Sequence, residues 1–209
     1  MAEHRAARGL RGHDLTGVPT EEVRFGVVMN GGVSLAVWMG GVALEVDHLV
    51  KAAATGTGPY ATMLALTGCT ARVDVVSGTS AGGVNGAALA LAQANRLADL
   101  ASLRDVWVEQ GRIEALLRQP FRGSPSSLLK GDDHFLPQLN AALTRLAVPT
   151  SPTPPKDAPI DLTVMTTVLR GNQEVTVDAL GQRLPQSVHG ARFRWRRPVD
   201  ARPEDDPFG

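Results

Sequence analysis

Residues 72–94 read RVDVVSGTSAGGVNGAALALAQA, and the two halves of that stretch follow different patterns. The first, RVDVV at 72–76, is rich in β-branched side chains and reads as a buried strand. The second, ALALAQ with its neighbours at 87–94, is almost entirely Ala and Leu and reads as a helix. Between them lies Gly78-Thr79-Ser80-Ala81-Gly82. A strand that enters so short a turn and leaves it as a helix is one step of an α/β domain. In such a G-x-S-x-G turn the flanking glycines let the backbone bend sharply, so the hydroxyl is thrust outward. The helix start then sets N–H groups and its positive dipole end beside that hydroxyl. Ser80 is therefore a candidate nucleophile, with Gly78, Thr79, Ala81 and Gly82 shaping its turn. The plainer reading is a Gly/Ser turn in which Ser80 only caps the helix.

The same arrangement occurs upstream. Residues 24–29, RFGVVM, read as a short buried strand that ends in Asn30-Gly31-Gly32. Leu35, Trp38, Val42, Val46 and Leu49 then recur at spacings of three and four, the apolar face of a helix. Gly40-Gly41 inside it predicts close packing against the sheet. Consecutive glycines leave backbone N–H groups uncovered, which suits an oxyanion hole or a phosphate cradle. As a nucleotide site the loop is poor, since it lacks G-x-G-x-x-G and no Walker lysine follows. Residues 25–44 and 75–95 are both free of charge and long enough to span a bilayer. Each is interrupted near its middle by Gly with Asn or Ser, so each reads as strand, turn and helix rather than as a membrane span.

Composition narrows the rest. The 209 residues are 43% hydrophobic and 20% charged, which fits one large globular domain. Lys+Arg and Asp+Glu both number 21, and without a basic excess no nucleic-acid partner is expected. The single cysteine, Cys69, excludes an internal disulfide and a Cys-rich zinc site, and reads as a small packed residue. Residues 1–22 read as a polar arm without a secretory leader, 23–199 as the α/β domain and 200–209 as a charged Pro-rich tail. These features predict a cytoplasmic location. Loop signals occupy 51–70, helices are expected at 96–110, 113–118 and 132–146, and a Pro-rich connector at 149–159. A third strand is expected over 160–169, turning at Gly171-Asn172 into a fourth over 174–178. Arg192, Arg194, Arg196 and Arg197 alternate or run on with Phe193 and Trp195. That pattern suits an edge strand with a solvated face, or a contact with anionic lipid.

The two turn motifs with their strands and helices resemble the start of a patatin-like phospholipase domain. The resemblance covers residues 24–197 and rests above all on the sequence from Val75 to Ala87. It implies a three-layer α/β/α domain with a mainly parallel sheet, acting as a lipid acyl hydrolase through a Ser–Asp dyad. By resemblance Ser80 is the nucleophile, and the N–H groups of Gly31, Gly32 and Val33 form the oxyanion hole. No metal or organic cofactor is implied. A lipid or other ester is the expected substrate, with peripheral contact at a membrane.

Two departures stand out. The family loop G-G-G-x-R/K-G has Val33, Leu35 and Ala36 here in place of its third glycine, its basic residue and its last glycine. The family aspartate sits in an Asp-Gly turn, and no Asp-Gly dipeptide occurs in this sequence. Asp178-Ala179-Leu180-Gly181 is the nearest look-alike. The expectation is thus an incomplete domain whose base lies elsewhere, or a lipid-binding module without turnover. A third reading is a Ser-His-Asp esterase using Ser80, Asp161 or Asp178, and His189. His48, the arm residues His4 and His13, and the cluster Asp132-Asp133-His134 read as ordinary surface or helix-start residues.

Overall fold

Four strands lie side by side in the order in which the chain makes them. They are β1 (Glu21–Met29), β2 (Cys69–Thr79), β3 (Ile160–Val177) and β4 (Arg183–Arg197). β1 and β3 run parallel to β2, and β4 returns antiparallel to β3. This is a mixed α/β domain with a mostly parallel sheet, as the alternation of strand and helix signals predicts. The computed structural model describes residues 21–95, 98–119, 127–147 and 159–198. Residues 1–20 of the expected arm with its histidines, the Pro-rich connector up to residue 158 and the tail lie outside the described residues, and Glu21 and Glu22, expected in the arm, open β1.

Strand alternation divides the sheet into two unlike faces. Val27, Val76, Leu162 and Trp195 share one rung on the first face. Val73, Val76, Ile160 and Leu162 are buried there beneath α1 (Leu35–Thr55), α2 (Pro59–Thr67) and α3 (Ala81–Ala94). Leu89 of α3 is completely enclosed, and burying one such side chain contributes about 1.5–3 kcal/mol. On the opposite face Arg24 pairs with Asp74 and Arg194 with Asp161, while Val28 and Val75 remain exposed. No described helix covers that face, so the described residues supply the sheet and one helical layer.

The remaining elements depart locally from the sequence expectations. The loop signals at 51–70 mark only helix ends: α1 runs on to Thr55, Gly56 closes it in a left-handed conformation, and Pro59 opens α2. The single helix expected at 96–110 is α4 (Ala101–Asp105) followed by a π-helical turn at Val106–Gln110. A one-turn α5 (Ile113–Leu116) follows, and a second π turn at Gly131–Phe135 leads into α6 (Leu136–Ala147). The hairpin does not turn at Gly171-Asn172. β3 continues past it through an irregularity in pairing between Thr167 and Asn172, and the chain reverses at residues 178–182. There Asp178 Oδ1 accepts from the N–H groups of Leu180 and Gln182, and Gly181 adopts a φ of 82°. That local side-chain cap is the stronger turn signal.

Candidate active site

The parallel strands β1 and β2 both end at one edge of the sheet, and each hands the chain to a helix there. Met29 pairs with Gly78, so the two turns that follow, at 30–34 and at Thr79-Ser80, are neighbours by register. Ser80 is the only non-glycine with positive φ among the described residues, at φ 55° and ψ −125°. That conformation is strained for a residue with a Cβ, and such strain gathers at functional turns. Ser80 stands at the N-cap of α3, yet its side chain makes no capping bond. Its backbone carbonyl accepts from the N–H groups of Gly83 and Val84. The residue is exposed, and its Oγ has no hydrogen-bond partner among the described residues. The reading of Ser80 as a plain helix cap is therefore not what the geometry gives.

The 30–34 loop comes very close. A Cβ added to Gly31 would lie 2.9 Å from Ser80 Cβ and 3.6 Å from Ser80 Oγ. Gly32 follows at a φ of 146°, which favours glycine. Val33 is 94% exposed and turns its side chain to solvent. On the other side Gly82 lets α3 approach the end of β1, where a Cβ would fall 2.1 Å from the Met29 carbonyl oxygen. Of the residues singled out in the two motifs, Gly31 is thus brought against Ser80 and its turn, while Gly32, the next residue of the loop, lies against Leu35.

Ser80 opens onto a cleft of about 660 Å³. Val84, Ala87 and Leu91 of α3 line one side, and Leu162, Val164 and Trp195 line the other. From Ser80 to Leu91 the helix advances roughly 16 Å at 1.5 Å per residue. The lining is mainly apolar, with the serine at one end. Exposed Leu35, Val37 and Trp38 follow the 30–34 loop along the first turns of α1.

The candidates for a base are placed elsewhere. Among the described residues no carboxylate or imidazole is hydrogen-bonded to Ser80 Oγ. Asp161 pairs in register with Val75, four residues back from Met165, which pairs with Thr79, so about 13 Å of strand separates it from the turn. It faces the helix-free side and is ion-paired with Arg194, whose guanidinium holds its carboxyl below the usual carboxylate range. Asp178 is occupied in capping the β3–β4 turn. His189 Nδ1 lies 2.9 Å from the Val168 carbonyl oxygen, and Nε2 lies 3.2 Å from Ser187 Oγ. His48 sits 3.8 Å from Glu45 on the surface of α1. Asp133 is ion-paired with Arg118. Among the described residues no group of three His, Cys, Asp or Glu side chains is arranged to hold a metal. Cys69 is half-buried at the start of β2. In the arginine run, Arg197 is buried and donates to the Ala94 carbonyl, tying β4 to the end of α3.

Comparison with known proteins places this geometry in context. The family model described as Patatin-like phospholipase matches residues 27–194. An uncharacterized membrane protein of Mycobacterium tuberculosis is 34% identical over 214 residues, covering 90% of this chain and 20% of the relative. The chain thus spans about a fifth of that relative's length. No solved structure matches. No helix of the described residues is long and apolar enough to cross a membrane.

Proposed function

The chain belongs to the patatin-like phospholipase family, and on that premise we propose that it carries a serine acyl hydrolase site acting on a lipid ester. Ser80 Oγ attacks the ester carbonyl carbon and gives up its proton to a base. The carbonyl oxygen becomes an oxyanion held by N–H groups of Gly31, Gly32 and Val33, with the N-terminus of α3 adding its positive end. The bond to the alcohol breaks, the base returns its proton to the departing oxygen, and the free alcohol leaves. Water then splits the acyl-serine and regenerates Ser80. The apolar cleft beside Ser80 takes the acyl chain, and exposed Leu35, Val37 and Trp38 face the lipid from which it is drawn.

The observation that carries this reading is the strained, uncapped Ser80 with Gly31 against it, at the head of an apolar cleft. The test is intact-mass measurement after treatment with an alkyl fluorophosphonate. One adduct on the wild type and none on Ser80→Ala supports the proposal. Wild-type protein that is folded and stays unmodified contradicts it.

One observation favours a second reading, a module that binds lipid without turnover: no described side chain stands ready to accept the Ser80 proton. The two readings separate on the same experiment, because a binding module takes up a fatty acid but forms no adduct.

A further inference from the structure

α3 touches the 30–34 loop at both of its ends. At the entry, Gly82 packs on the Met29 and Asn30 carbonyl oxygens. At the exit the contact is a side chain: Asn85 Nδ2 donates to the Ala36 carbonyl oxygen at 2.9 Å. Asn85 is completely buried, on the α3 turn after Ser80, and Ala36 lies in the first turn of α1 directly after the loop. The other end of the Asn85 amide is also fixed. Trp107 Nε1 donates to Asn85 Oδ1 at 2.7 Å. An indole N–H only donates and a backbone carbonyl only accepts, so the amide has one orientation that satisfies both. Gly40, one turn beyond Ala36, leaves room for this pair, since a Cβ there would meet Asn85 Oδ1 at 3.3 Å and Trp107 Cδ1 at 3.4 Å. Phe135 packs on Trp107 in a tilted arrangement, ring centroids 5.5 Å apart and planes at 40°.

A buried amide bonded at both ends is a rigid strut, and this one spans from the serine helix to the helix that follows the glycine loop. We propose that Asn85 is a positioning residue: it holds the 30–34 loop at its working distance from Ser80, and Trp107 sets its orientation. The inference rests on the reading of Ser80 and the loop as an acyl-transfer site for its consequence, but the strut itself is testable without turnover.

At an alkaline pH that ionises the new carboxylate, Asn85→Asp keeps the shape and the Trp107 contact but offers Ala36 no donor, and all variants are compared at that pH. Trp107→Phe keeps the ring and removes the orienting N–H, and serves if the first variant does not fold. Val50→Ala, a buried change in the last two turns of α1, is the control for stability alone. Hydrogen–deuterium exchange across residues 27–38 reads the loop directly. In either Asn85→Asp or Trp107→Phe, exchange there rises about tenfold or more, while Val50→Ala leaves it unchanged. Saturation labelling with an alkyl fluorophosphonate reads the consequence. The maximal labelling rate falls by about 100-fold in Asn85→Asp with the half-saturating probe concentration unchanged, as displacing a reacting geometry by an ångström does. Unchanged loop exchange in a folded Asn85→Asp overturns the proposal. So does a rise of the same size in Val50→Ala, which would make the effect one of general stability. If the wild type takes no label but the loop loosens as described, the strut stands and the acyl-transfer reading falls.

Discussion

Replacing Gly31 by Ala adds one methyl group at the point where the loop meets Ser80. That methyl would sit 2.9 Å from Ser80 Cβ and 3.2 Å from the Thr79 carbonyl oxygen. Ordinary contact begins near 3.4 Å, so the loop must retreat by about 0.5 Å or more. Neither neighbour is the free end of a flexible side chain, so the loop is what gives. It is at the surface and has room to do so, which keeps the loss of stability near the low end of the ~1–3 kcal/mol typical of overpacking. The effect on reactivity is larger, because the N–H groups move with the loop. The fluorophosphonate labelling rate of Ser80 is expected to fall by about 10- to 100-fold. Gly41→Ala is the matched comparison. It lies in the same region of sequence, but nothing stands within 4 Å of its added methyl. As a helix-interior change it is expected to stabilise by about 0.5–1 kcal/mol and to leave labelling unchanged. A Gly31→Ala protein that is folded and labels at the wild-type rate would refute the claim that this loop serves Ser80.

Further outcomes follow from other parts of the fold. Asp47 is fully enclosed and held by Lys51 at 2.6 Å and by Gln93 at 3.0 Å, so Lys51→Met should destabilise by about 3–5 kcal/mol at pH 7 in denaturant titration. Burial holds the Asp47 carboxyl above its ordinary 3.8, with Lys51 pulling it down. The stability from its bound proton is therefore full below pH 3.8 and lost as pH rises through the folded pKa, so the penalty of Lys51→Met should shrink toward acid. His189→Ala and Asp161→Asn should each leave the Ser80 labelling rate within about twofold, since the His189 nitrogens are engaged by Val168 and Ser187 and Asp161 by Arg194; a loss of 100-fold or more in either would favour a Ser-His-Asp mechanism. Ala87→Phe places a ring midway along the cleft, and labelling by long-chain alkyl fluorophosphonates should fall about tenfold or more relative to short-chain ones, a selectivity that equal loss with both probes would contradict.

Much of this site is legible in the sequence because it is built from two changes of pattern. At Gly78-Thr79-Ser80 a β-branched run gives way to Ala and Leu, and at Asn30-Gly31-Gly32 another apolar run gives way to three-and-four spacing. Two such transitions on parallel strands must end at the same sheet edge, which brings the turns together before any coordinate is known. Local competition hides other features. Thr55-Gly56-Thr57-Gly58-Pro59 reads as loop, yet its glycines and proline are the caps of two helices, and the residues beyond it fold as α2. Gly171-Asn172 looks like a hairpin turn, but Asp178 offers a carboxylate to two backbone N–H groups and takes the reversal further along. Asn85 carries no signal at all: a polar residue in a helix does not announce that its partner is Ala36, 49 positions away. Nor does Asp47 reveal that Lys51 and Gln93 make its burial tolerable. The proposed reaction also needs a proton acceptor for Ser80, and a base is defined by where a side chain arrives in space rather than by its own residue type.

The central claim, that Ser80 and the glycine loop form one acyl-transfer site, is tested most directly by a crystal structure of the protein after reaction with an alkyl fluorophosphonate. Phosphorus is expected on Ser80 Oγ, with the phosphoryl oxygen about 2.7–3.1 Å from N–H groups of the Gly31–Val33 loop and the alkyl chain lying along Val84, Ala87 and Leu91. Phosphorus on another residue, or on Ser80 with its oxygen turned away from the loop into solvent, would contradict it.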